Sequence, residues 1–172
     1  VTVTDGLLEN TQDITITVLG VNETPVITSD DSFNFNENTT SAVTTVTSSD
    51  QDDGDSATYS ISGGVDASHF AINENTGELT FVNPPDYEIP TDSDGDHTYI
   101  VIITVKDNDL LEDSQTLTIT VTNIMEPPVI TSNGAGSTAS ISFAENNTSA
   151  VTTVTSSDAD SDDTAAYSIS GT

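Results

Sequence analysis

Cysteine and tryptophan are absent from this 172-residue chain, Lys106 is its single basic residue, and aromatics make up 5%. Each shortage excludes something. Without cysteine there can be neither disulfides nor thiolate metal sites, and the redox compartment stays open. One basic residue against 29 acidic ones leaves a formal charge of −28. That argues against nucleic acid, whose affinity comes largely from Lys and Arg neutralising phosphates. It argues equally against anionic membrane surfaces, which attract polybasic segments. The longest apolar run, Tyr99–Ile103, is far short of the roughly 20 residues of a membrane span, so no membrane insertion is expected in this segment. No stretch has the basic, apolar, small-residue layout of a signal peptide, so a secreted protein would carry its signal outside this sequence.

What the chain does have is a repeat. NTTSAVTTVTSSDQDDGDSATYSISG (Asn38–Gly63) returns as NNTSAVTTVTSSDADSDDTAAYSISG (Asn146–Gly171). LLENTQDITITVLGVNETPVITS (Leu7–Ser29) returns as LLEDSQTLTITVTNIMEPPVITS (Leu110–Ser132). The unit is therefore about 103 to 108 residues, with GAGST (Gly134–Thr138) inserted in the last copy. Residues 1–20 read as the end of one repeat (strands F and G), 21–124 as a complete repeat, and 125–172 as the start of a third (strands A to C), a window on a longer tandem array.

Acidic, aromatic-poor composition can signal disorder, but the hydrophobic period here is two. Leu117, Ile119 and Val121 alternate with threonines, as do Ile14, Ile16 and Val18 one copy earlier, the pattern of half-buried strands. Seven strands are expected in the whole repeat: A over Pro25–Phe35, broken, B over Val43–Ser48, C over Thr58–Ser62 and D over Phe70–Ile72. The others are E over Glu78–Val82, F over Thr98–Lys106 and G over Gln115–Asn123. Seven short strands in about 100 residues predict an all-β, seven-stranded Greek-key sandwich of the immunoglobulin kind, repeated in tandem.

That topology sorts the acids. Strands of about seven residues at 3.3 Å each hold the two ends of a sandwich about 20–25 Å apart. Glu37 in the A–B turn and Asp86 with Glu88 in the E–F turn fall at the end where strand G leaves. Asp50 and Asp52 in the B–C turn and Asp107 at the start of F–G fall at the other. The inter-repeat segments add Glu23 and Glu126. Stacked end to end, the repeats would bring these together into a set of hard oxygen donors. Such a set suits Ca²⁺, which takes 6–8 oxygens in loose geometry, rather than Zn²⁺, which wants His or Cys.

The ordered motifs NEN (Asn36–Asn38), DQD (Asp50–Asp52), PDYE (Pro85–Glu88), VKD (Val105–Asp107) and NETP (Asn22–Pro25) resemble those of a cadherin repeat. PPDYEIPTDSDGDHTYIVIITVKD followed by VTNIMEPPVI is more closely similar to the cadherin-like repeats of giant bacterial surface adhesins. The resemblance implies calcium between successive repeats. At the lower junction Glu37, Asp86 and Glu88 would bind with Glu126, Asp158 and Asp160. At the upper junction the matches are Asn22, Glu23, Asp50, Asp52 and Asp107. The family linker D-x-N-D-N-x-P is shortened here to GVNETP and NIMEPP, with Gly20 and Asn123 where the first aspartate belongs and Met125 in place of an asparagine. Fewer carboxylates imply fewer ions than the family's three, or weaker ones.

Other polar groups have simpler readings. Asp92, Asp94 and Asp96 open like an EF-hand loop, but the twelfth position is Ile103, in a strand, so that motif fails. A solvated loop and an auxiliary calcium site both remain open for these three. Tyr59 and Tyr167 read as core residues, Tyr87 as a packing group that orients its loop, and His69 and His97 as surface residues. The sequons at Asn22, Asn38, Asn146 and Asn147 are expected by chance in so Thr/Ser-rich a chain. No G-x-S-x-G elbow or placed histidine base supports an enzyme. The expected function is a calcium-stiffened spacer of an extracellular or cell-surface adhesin, with adjacent repeats of the same chain as partners. The rival is a module that itself holds polysaccharide or another copy of the chain.

Overall fold

The computed structural model describes residues 1–52, 54–161 and 163–169. Strands β1 (Thr2–Thr4) and β2 (Glu9–Thr11) form a small hairpin ahead of the complete repeat. The repeat itself contains β3 (Val26–Ile27), β4 (Ser32–Asn36), β5 (Ala42–Thr45), β6 (Ser48–Ser49) and β7 (Thr58–Gly63). It continues through β8 (Phe70–Ile72), β9 (Glu78–Phe81), β10 (Thr98–Lys106) and β11 (Glu112–Thr122). Beyond it lie β12 (Val129–Ile130) and β13 (Ser156–Ser157). No helix among the described residues is long and apolar enough to cross a membrane.

Two sheets face one another, with strand orders β4-β11-β10-β7 and β5-β9-β8. The fold is all-β and has the Greek-key sandwich arrangement. Strand A is broken as the sequence predicts. Val26 and Ile27 pair with Ser49 and Ser48 of β6, whereas β4 runs parallel to β11 from Ser32↔Thr118 to Asn36↔Thr122. The polar residues Thr28–Asp31 make the crossing and still satisfy their backbone: Thr28 N donates to Thr47 O at 2.8 Å, and Asp31 O accepts from Thr118 N at 2.8 Å.

The period-two pattern becomes the core. Tyr99, Val101, Ile103 and Val105 of β10 point inward, opposite Leu117, Ile119 and Val121 of β11, and all seven are buried. Each such side chain stabilises by about 1.5–3 kcal/mol. The few aromatics are concentrated here: Phe81 sits 5.1 Å from Phe35, 4.5 Å from Phe70 and 5.1 Å from Tyr99, ring centre to ring centre. On the outer face, buried Thr104 is satisfied by Ser62 Oγ and Ser114 Oγ, both at 2.7 Å. Lys106 pairs with its cross-strand neighbour Glu112 at 2.5 Å, an exposed contact worth less than about 1 kcal/mol.

Several expectations need correction. Strand G begins at Glu112, three residues before the expected Gln115, because the β10 register continues to Lys106↔Glu112. Ile14, Ile16 and Val18 lie outside any strand and are exposed, since no sheet among the described residues packs against them. Tyr167 is exposed where its equivalent Tyr59 is buried, although the Ser156–Tyr167 hydroxyl contact at 2.8 Å copies Ser48–Tyr59 at 2.9 Å. Local sequence reproduces the local bond, but burial needs the strands that Tyr59 has beside it. His69 and His97 are half-buried rather than on the surface, the first edge-on to Tyr99 and the second stacked on Tyr87 at 3.9 Å.

Gly64 and Gly77 both have positive φ and no room for a side chain. Gly77 has φ +72°, and a Cβ there would lie 2.2 Å from the carbonyl oxygen of Val46, whose own N–H donates to Gly77 O at 2.8 Å. Gly77→Ala is expected to destabilise the repeat by about 2–4 kcal/mol, read as a lower urea midpoint at unchanged slope.

Candidate metal centre

The turns after β4 and β9 meet at one end of the sandwich. Glu37, in the first residue after β4, is 1% exposed. Its Oε1 accepts from Ile124 N at 2.7 Å, and its Oε2 accepts from Tyr87 N at 2.8 Å and from Asn38 Nδ2 at 3.2 Å. One carboxylate thus ties the A–B turn to the E–F loop and to the linker. Tyr87 plays its expected part: its stack on His97 and the His97 Nε2–Tyr87 O contact at 2.9 Å fix the loop between Asp86 and Glu88.

The structure then assembles acids from four stretches of chain. Glu37, Asp86 and Glu88 each bring an oxygen to one group, Glu88, Glu126 and Asp160 to a second, and Asp158, Asp160 and Asp163 to a third, with oxygens in each group within 4.8 Å of one another. Because Glu88 and Asp160 are shared, the groups form a continuous chain of carboxylates from the complete repeat, across the linker, into the next one. Asp160 also holds the linker directly, accepting from Glu126 N at 2.7 Å.

All six expected residues of the lower junction lie in these groups. At the upper junction Asp50 and Asp52 are joined by Asp55 in one group, while Glu23 and Asp107 stand outside it. Glu23 N donates to Asp52 Oδ2 at 2.7 Å, the counterpart of Glu126 N on Asp160. Asn22 reaches Asp107 Oδ2 through Nδ2 at 2.7 Å, and Asp107 lines one cleft with Asp50 and Asp55.

Four residues escaped the sequence reading. Asp55 and Asp163 occupy equivalent positions in DQDDGD and DADSDD, so the repeat itself carried that signal. Asn38 donates to Glu126 Oε1 as well as to Glu37. Asn123, which stands where an aspartate is expected, donates to Glu88 Oε1 at 2.9 Å and to Asp160 Oδ1 at 3.0 Å. A neutral amide there holds two acids without adding a third charge.

The electrostatics are those of crowded anions. Burial, then Glu37, Asp160 and Asp86, hold the Glu88 carboxyl above its ordinary range. Burial, followed by Glu37, Glu88, Asp160 and Asp86, does the same to Glu126. Glu23 is raised by burial and by Asp52 and Asp50. Asp107 is the exception: burial opposes its charge, but the Asn22 amide and the N–H groups of Leu111, Asp109 and Leu110 outweigh that and lower it. Glu126 Oε2 and Asp50 Oδ2 are buried with no hydrogen-bond partner. A buried, unpaired carboxylate oxygen among like charges is costly, and a cation would remove that cost. The donors are oxygens throughout, which fits a hard divalent ion.

Comparison with known proteins bears on the fold. The family model for the cadherin domain matches residues 31–122. Among solved structures, human protocadherin-24 EC1-2 aligns with a TM-score of 0.53 at 23% identity, over 80% of this chain and 62% of that one. The protocadherin gammaB7 EC3-6 cis-dimer structure aligns with a TM-score of 0.59 at 20% identity, over 88% of this chain and 40% of that one. Drosophila N-cadherin EC1-3 aligns with a TM-score of 0.50 at 16% identity, over 63% and 36% respectively. The chain thus spans less than two thirds of each of these structures, and the likeness concerns the fold. No curated protein matches the sequence.

Proposed function

The chain belongs to the cadherin family, and from that premise we propose that it is part of a calcium-stiffened spacer in a long extracellular, bacterial-type surface adhesin. In this reading the array divides after residues 20 and 124, and its work is mechanical rather than catalytic. The observation that carries it is the unbroken line of carboxylates across the lower junction, with Glu126 Oε2 buried and unpartnered within it.

Glu37, Asp86, Glu88, Glu126, Asp158 and Asp160 would hold ions at the lower junction, and Asn22, Glu23, Asp50, Asp52 and Asp107 at the upper. Calcium bound there would supply positive charge among the acids and a shared ligand sphere joining two repeats to their linker. The chain's own residues set the rest. Glu37 fixes the E–F loop and Ile124 from one side, while Asp160 fixes Glu126 from the other. Left to themselves, paired carboxylates repel by about 1 kcal/mol at 4 Å in water and about 4 kcal/mol at an effective dielectric of 20. The linker is then pushed toward open, hinged arrangements. Extracellular calcium modules bind at about 10⁻⁴–10⁻³ M, so stiffness would follow the ion content of the surroundings.

Small-angle X-ray scattering of the chain in calcium and in EGTA tests this. The expected result is a well-defined maximum dimension in calcium and a broadened distance distribution without it. Identical curves would refute the spacer mechanism.

A further inference from the structure

The loop between β9 and β10 carries a second set of acids that the junction does not use. Asp92, Asp94 and Asp96 each place an oxygen within 4.8 Å of the others. No basic side chain relieves them, since Lys106, the only one in the sequence, is engaged with Glu112 at the far end of β10. Asp92 sets this group apart from a solvated acidic turn. It is 8% exposed; its Oδ2 accepts from Asp96 N at 2.8 Å, and its Oδ1 is buried with no partner at all. A carboxylate oxygen taken out of water and given nothing to bond, beside two more of like charge, is a strongly unfavourable arrangement. One divalent ion reverses it.

The loop is also held in place from beneath. Asp66, 2% exposed, accepts from Ser93 N at 2.7 Å through Oδ1 and from Ile100 N at 2.8 Å through Oδ2. Asp92 is thereby fixed next to the sheet, while Asp94 and Asp96 are exposed and leave an entry path. The adjacent His97 contacts Tyr87 O through Nε2 and is not part of the group, so its donors are carboxylate oxygens, which favours calcium over zinc.

We propose that Asp92, Asp94 and Asp96 form a calcium site internal to a single repeat, separate from the junction. It stands whether or not the junction binds metal.

The test uses the full chain, calcium alone as the probe, native mass spectrometry to count ions, and amide NMR to locate them. At saturating calcium, D94N/D96N is expected to hold one ion fewer than the wild type, and the Gly95 amide of the wild type should shift on titration. Both substituted positions are exposed, so the fold is retained. E88Q/E126Q, which addresses the junction, is expected to leave the Gly95 shift intact. An unchanged ion count in D94N/D96N, a Gly95 amide unmoved by calcium, or loss of its shift in E88Q/E126Q would each overturn the proposal. A count unaffected by E88Q/E126Q would instead refute the junction reading and leave this one standing.

Discussion

Chelating calcium is expected to lower the thermal midpoint of the chain by about 10–20 °C. An ion that binds only the native junction stabilises by about 2.7 kcal/mol at 100 times its dissociation constant, and 1 kcal/mol moves the midpoint of a single repeat of about 100 residues by about 4–8 °C. With a dissociation constant near 10⁻⁴ M that condition is met at about 10 mM calcium. General screening is not an adequate substitute. At physiological ionic strength the Debye length is about 8 Å, longer than the 4.8 Å within which the junction oxygens lie. Calorimetry in calcium, in magnesium and in EGTA at constant ionic strength separates the effects. E88Q/E126Q should lose most of the calcium-dependent increment while keeping its fold. A midpoint equal in calcium and EGTA would remove the basis for a metal-bound junction.

Where structure depends on alternation, the sequence already contained it. Strands over Phe70–Ile72 and Thr98–Lys106 end where expected, because polar or charged residues interrupt a pattern that only one register can bury. The break in strand A is legible for the same reason, since Thr28–Asp31 offer nothing apolar to carry across. The meeting of Glu37 with Asp86 and Glu88 followed from counting which turns share an end. What sequence could not provide was burial that depends on which strands lie alongside. Tyr167 and Tyr59 sit in nearly identical sequence, yet only Tyr59 has β10 against it. Nor could it show that Asn38 and Asn123 bind the acids around them, because an amide's role is set by distances between distant loops.

Glu37 separates the two roles combined in the junction. Glu37→Ala should destabilise the chain by about 2–4 kcal/mol even in EGTA, because the N–H groups of Tyr87 and Ile124 lose their acceptor and each unsatisfied buried donor costs about 1–3 kcal/mol. Glu37→Gln behaves differently. Its amide keeps one acceptor oxygen, so one of those bonds survives, and it removes a charge that acts on both Glu88 and Glu126. Without metal, the lost hydrogen bond and the relieved repulsion oppose one another, at about 1 kcal/mol each, and the net change in stability is small. With calcium the repulsion is no longer there to relieve, and an anionic ligand has been lost, so the full deficit becomes visible. Urea unfolding of wild type, Glu37→Ala and Glu37→Gln, each in calcium and in EGTA, should therefore show Gln near wild type in EGTA and well below it in calcium. A Gln variant displaced equally in both buffers would mean that Glu37 serves only as a backbone clamp and takes no part in binding metal.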